Sequence, residues 1–142
     1  MNEMRSRRSL PRSIGAILAG VLVGVLLSLG TDSLLRAMGI FPALGERVSD
    51  PLLMLATVYR TVYGIVSSYI TAWLAPNRPM THVLVLGFLG LAANVLGTVA
   101  TWNKGPAFGP HWYPIALIVL AVPTAWVGGR MFLQRHAAVG AA

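Results

Sequence analysis

Ala56-Thr57-Val58-Tyr59-Arg60-Thr61-Val62-Tyr63-Gly64 decides how this chain is read, because an arginine stands inside a segment that otherwise suits a lipid bilayer. A charge at that depth is costly unless it is paired or wet. Something must hold Arg60, and the rest of the sequence points to Asp32.

The surroundings of that stretch set the class. The chain has 142 residues, 56% of them hydrophobic and only 11% charged, with a mean hydropathy of +0.69. Soluble domains carry about 25% charged residues, so this chain has too little polar surface for a water-soluble globule. Its apolar residues fall in four blocks, each near the roughly 20 residues that cross a bilayer. The expectation is an all-α polytopic membrane protein with four transmembrane helices in one antiparallel bundle. The net charge of +7 does not point to nucleic acid, because the basic residues cluster at the ends of the apolar blocks, as they do in membrane proteins. The absence of cysteine excludes disulfides, thiol catalysis and cysteine-ligated metal.

Taken in order, residues 1–13 form a basic cytoplasmic N-terminus with Arg5, Arg7, Arg8 and Arg12. A transmembrane domain then spans 14–133, with helices over about 14–38, 51–75, 81–101 and 113–133, and residues 134–142 form a short cytoplasmic tail. The basic start followed by an apolar run also has the outline of a signal peptide, with Ser28 and Gly30 as small residues near a cleavage site. Three further spans follow, and a retained first helix is the simpler reading. Ser49-Asp50-Pro51 is a helix-start signature, with a capping side chain ahead of proline in the first turn. Pro76-Asn77-Arg78-Pro79 is a tight turn that makes the second and third helices antiparallel neighbours. Pro123 is expected to kink the fourth helix.

Lysine and arginine set the orientation. The N-terminus, Arg78, Arg130 and Arg135 share one side, while Arg36, Arg47 and Lys104 fall toward the other. The positive-inside rule then places both termini in the cytoplasm. Trp73 and Trp126 fall near the inner interface, and Trp102, Trp112 and Tyr113 near the outer one, as aromatic belts do.

Small residues recur every fourth position on the first two helices. Ala16, Gly20, Gly24 and Ser28 lead to Asp32 and Arg36, and Ala56 leads through Arg60 to Gly64, Ser68 and Ala72. This spacing lets helix backbones approach closely in lipid. Set antiparallel, the rows place Asp32 opposite Arg60, Ser28 opposite Gly64, Gly24 opposite Ser68 and Gly20 opposite Ala72. Depth agrees, since at 1.5 Å per residue Asp32 lies roughly 27 Å beyond Ile14 and Arg60 roughly 22 Å before Ala75. A row of four drifts by about 40° per step, so the match is good locally and poor over the full length. Tyr59 and Tyr63 flank Arg60, and their hydroxyls are candidates to satisfy a guanidinium with five donors. The candidate buried polar cluster is Asp32, Arg60, Tyr59, Tyr63 and Asn94. It reads as a structural clasp between two helices, or as a polar site for a solute, an anion or a proton. In a third reading Arg60 faces a partner or a water defect.

Asn94, amid Gly87, Gly90, Ala93 and Gly97 on the third helix, reads as an interhelical hydrogen-bonder. His82 is expected at the inner interface. His111, Glu46 and Asp50 share the outer side, but no spacing brings them to a metal. There is no His-x-x-x-His, no paired acids at catalytic spacing, no phosphate loop and no Gly-x-Ser-x-Gly. The reading is therefore a protein that is not an enzyme, with no cofactor and no metal.

At Tyr59-Arg60-Thr61-Val62-Tyr63-Gly64, Leu74-Ala75-Pro76-Asn77-Arg78-Pro79-Met80 and Trp112-Tyr113-Pro114, the chain resembles a group of small uncharacterised bacterial inner-membrane proteins of four helices. The likeness covers about residues 13–130. It implies a multi-pass protein of the bacterial inner (cytoplasmic) membrane and carries over no catalytic residue. The expected partners are the lipid bilayer and a second copy or a membrane complex, with no nucleic acid. A non-catalytic helical module or accessory subunit is the first functional expectation, and a small-solute or proton-coupled transporter or channel using Arg60 and Asp32 is the alternative.

Overall fold

The computed structural model describes residues 2–141. Met1 and Ala142 lie outside the described residues, and so do the side chains of residues 2–8, including Arg5, Arg7 and Arg8. Four α-helices follow one another: α1 (Asn2–Ala37), α2 (Asp50–Leu74), α3 (Pro79–Thr101) and α4 (Trp112–Gly140), with a 3-10 turn over Pro106–Phe108 between the last two. No strand occurs among the described residues.

The inner helix ends fall within two residues of the sequence expectation, and the two outer ends do not. α1 begins at Asn2 rather than near Ile14, and α4 runs to Gly140 rather than Leu133. Arginine is the commonest residue of those ends, and arginine, glutamine and alanine are strong helix formers. Each also extends a helix already nucleated by the apolar run beside it, so only propagation is required. α1 continues past Pro11 and α4 past Pro123. Ser49 occupies the position before α2, but its side chain makes no capping bond. Of the expected signature there, the proline in the first turn is what the structure retains.

Three helices are long and apolar enough to cross a membrane: Ser9–Ala37, Pro79–Thr101, and the segment Pro106–Gly140 that contains α4. α2 is not among them, which departs from the expected four. The physical reason is its composition, for Arg60, three threonines, two serines and three tyrosines dilute its apolar residues.

α2 contacts all three other helices, while α1 and α4 scarcely meet. The closest approaches use small residues. A β-carbon built on Gly24 would stand 2.7 Å from Ser67 Oγ, and one on Gly20 would collide with Thr71 Oγ1. A β-carbon on Gly128 would lie 2.5 Å from the Ile65 carbonyl oxygen, and one on Gly87 2.8 Å from the Ala125 β-carbon. Residue numbers fall on α2 as they rise on α1, so these two run antiparallel. α2 and α4 run parallel, since Gly64 meets Thr124 and Ser68 meets Gly128. α3 and α4 are antiparallel, since Gly87 meets Ala125 and Gly129 meets Val83.

The interior is small and partly polar, and the exterior is large and apolar. Ala16, Ala56, Ala72, Ala125, Ser67, Ser68 and Thr71 are all buried. Leu22, Leu26, Phe88, Leu96, Val99 and Val119 are each more than half exposed. A soluble monomer rarely leaves such contiguous apolar surface to water.

Candidate functional site: a polar cluster among α1, α2 and α4

Asp32 comes from near the end of α1 and Arg60 from the middle of α2. Arg60 Nη2 donates to Asp32 Oδ2 at 2.6 Å. The Tyr59 hydroxyl donates to Asp32 Oδ1. Each carboxylate oxygen thus receives one donor from adjacent residues of α2, and Asp32 is only 8% exposed. Charge-assisted bonds of this kind are roughly twice as strong as neutral ones.

One turn on, Tyr63 and Thr31 share a hydrogen bond between hydroxyls at 2.7 Å. The Tyr59 and Tyr63 rings lie 5.7 Å apart at a 44° tilt. Tyr63 therefore ties the same two helices but is bonded to Thr31, not to the guanidinium. The Arg60 guanidinium lies over the ring of Tyr113 from α4, 5.9 Å from its centroid, a favourable placement for a cation. Arg60 Nε is buried without a hydrogen-bond partner.

The small-residue rows meet differently from expectation. Gly24 and Gly20 face Ser67 and Thr71, not Ser68 and Ala72, and Gly64 and Ser68 face α4. Helix geometry explains this. At 100° per residue, Ser67 and Thr71 stay within about 20° of the direction of Arg60, whereas Ser68 and Ala72 have rotated about 80° and 120° away. Ser68, Thr57 and Thr61 return their hydroxyls to carbonyls four residues earlier on α2. Ser67 Oγ and Thr71 Oγ1 are instead buried without a partner and lie against the α1 glycines.

Asn94 is not part of the cluster. Its Nδ2 reaches the Leu117 carbonyl on α4 at 3.5 Å, a weak interhelical contact. His82 is buried in the first turn of α3, and its Nδ1 lies 3.2 Å from the Arg78 carbonyl oxygen. Its backbone anchor, Arg78, has the left-handed φ of 39°. His111 stacks on Trp102 with ring centroids 3.8 Å apart. No group of three metal-ligating side chains occurs among the described residues.

No protein-family model, curated protein or solved structure matches this chain. The functional argument therefore rests on the residues themselves.

A cavity of about 230 Å³ adjoins the cluster where α1 ends and α2 and α4 begin. Its charged lining is Asp32, Arg36 and Arg60, and Phe41, Leu53 and Phe108 supply much of its apolar wall. Sequence reasoning missed this cavity and the part that Tyr113 takes in it. Tyr113 reads as one more belt aromatic next to Trp112, and only the parallel packing of α4 on α2 brings its ring to Arg60. The cavity walls come from segments separated by up to 81 positions (Asp32 to Tyr113), a juxtaposition that no local pattern encodes.

Proposed function

We propose that this chain is a non-catalytic multi-pass membrane module whose first two helices are locked by Asp32, Arg60 and Tyr59, with α2 as a fourth span. The carrying observation is how α2 distributes its side chains. Between Leu53 and Ala72 every polar residue is buried or half-buried. The exposed positions there are Met54, Leu55, Val58, Val62 and Val66, all apolar. A helix that hides polar groups and shows apolar ones is matched to lipid outside and to helices inside. Total hydropathy undercounts such a helix, because its polar groups turn mostly toward the other helices.

The positive-inside pattern supports a bacterial inner-membrane protein with both termini in the cytoplasm. The resemblance to small bacterial inner-membrane proteins supports the same setting. The role that fits is an accessory or self-associating subunit. A reporter fused after Ala142 is expected to be active only in the cytoplasm, and periplasmic activity refutes the orientation.

Charge exchange tests the lock. Asp32→Arg and Arg60→Asp are each expected to lose folded protein, and the double exchange to restore it. Normal folding of both single variants refutes the lock. A second reading, small-solute or proton-coupled transport through Arg60 and Asp32, draws on the cavity beside them. It is favoured if the double exchange folds but a transport phenotype is lost.

A further inference from the structure

Arg36 is the charge in this region that the helix lock does not use. It is half-buried in the last turn of α1 and lines the 230 Å³ cavity. Its side chain makes no hydrogen bond or ion pair with any described residue, and its Nε is buried without a partner. Its position suits the negative end of the α1 dipole, but that leaves its planar set of donors unused. Arg60, the second guanidinium in the lining, spends one donor on Asp32 and keeps its side chain 31% exposed.

The electrostatic sum of the lining is two guanidinium groups against one carboxylate, a net charge of +1. Asp32 already receives one donor on each oxygen, from Tyr59 and Arg60. One positive charge therefore stands uncompensated beside a wall that includes Phe41, Leu53, Ala56 and Phe108. Phe41, Leu53 and Ala56 are each less than 10% exposed. A strongly hydrated dianion would lose its water against those side chains without replacement. A monoanion with an apolar tail satisfies both halves, with its carboxylate on Arg36 and its hydrocarbon on the aromatic and aliphatic wall. Guanidinium matches carboxylate with two parallel N–H bonds. The volume falls below the roughly 300–1,000 Å³ of pockets for drug-sized ligands, so the tail is short.

We propose that this cavity binds a small aliphatic monocarboxylate from the aqueous phase, with Arg36 as its principal anchor. The cavity shares Asp32 and Arg60 with the lock between α1 and α2, but its anchor, Arg36, takes no part in that lock. Calorimetry of the full chain in nanodiscs, titrated with butanoate, tests it. Butanoate is expected to bind about fourfold tighter for each methylene it has beyond acetate, and inorganic phosphate is expected not to displace it. Arg36→Gln is expected to weaken butanoate more than tenfold while the unliganded protein unfolds as the wild type does. Val48→Phe narrows the same cavity while keeping Arg36 in the chain and is expected to abolish binding, so the test survives if the arginine variant folds poorly. The proposal is overturned if butanoate gives no binding heat, or if both variants bind it as the wild type does. Displacement by phosphate overturns it in favour of an anion or lipid-headgroup site. Binding of dodecanoate without butanoate overturns it in favour of a lipid-fed site.

Discussion

The Thr71 hydroxyl of α2 fills the space that a β-carbon on Gly20 of α1 would need. The Ser67 carbonyl and a Leu86 methyl each stand 3.1 Å from the same point, so the gap is closed on three sides. Gly20→Ala should therefore push α1 away from α2, at a cost of about 1–3 kcal/mol for overpacking. Thermal unfolding in detergent micelles reads this directly. Gly15 and Gly30 on the same helix have nothing within 4 Å, so alanine at either should cost nothing. Thr71→Ala combined with Gly20→Ala should recover most of the loss, since touching residues couple.

The α4 helix makes a parallel test. Gly128→Ala would place a methyl 2.5 Å from the Ile65 carbonyl oxygen and 2.7 Å from the Ser68 β-carbon. Backbone on one side cannot swing away as a side chain can. The expected loss is at the upper end of about 1–3 kcal/mol, while Gly90→Ala, with open space around it, should be neutral or slightly stabilising. Equal melting of the two variants would show that α2 and α4 are not in this contact.

The two tyrosines should separate by the charge of their partners. Tyr59 donates to the carboxylate of Asp32, and Tyr63 pairs with the neutral hydroxyl of Thr31. A bond to a charged group is worth about 1.5–3 kcal/mol and a neutral one about 0.5–1.5 kcal/mol. Tyr59→Phe is thus expected to destabilise more than Tyr63→Phe in the same unfolding assay. The reverse order would mean that Thr31 and Tyr63, not Asp32, hold the upper end of the two helices.

Ser67 and Thr71 carry buried hydroxyls without hydrogen-bond partners. Leaving such a group unpaired costs about 1–3 kcal/mol. Thr71→Val keeps the shape and removes the polar atom, so it should be neutral or stabilising by up to that amount. A clear loss of stability in the valine variant would reveal a partner for the hydroxyl.

The pairing of Asp32 with Arg60 was legible because two independent signals agreed: charge at similar depth, and rows of small residues leading to both. The helix ends around residues 37–50, 74–79 and 101–112 were legible from glycine and proline. What the sequence left hidden came from rotation and from distance. A four-residue row does not stay on one face of α2, where 100° steps carry Gly64, Ser68 and Ala72 around to α3 and α4. The aromatic cover over Arg60 and the cavity beside Arg36 depend on α4 lying parallel to α2. Nothing local in residues 112–114 announces that partnership. The helical extension at both termini is hidden for the opposite reason, since polarity sets where a span ends and not where its helix ends.

The company that α2 keeps has a consequence for how the protein is made. On the four-span reading, α1, α3 and α4 can each partition into the bilayer on their own merits, and α2 cannot. Its arginine enters hydrocarbon cheaply only if Asp32 is already waiting, and its serines and threonines only if glycine-bearing neighbours are within reach. Insertion is then an ordered, collective event. A nascent chain halted soon after Leu74 should leave α2 accessible to water-borne reagents when Asp32 is replaced by leucine, and shielded when it is not.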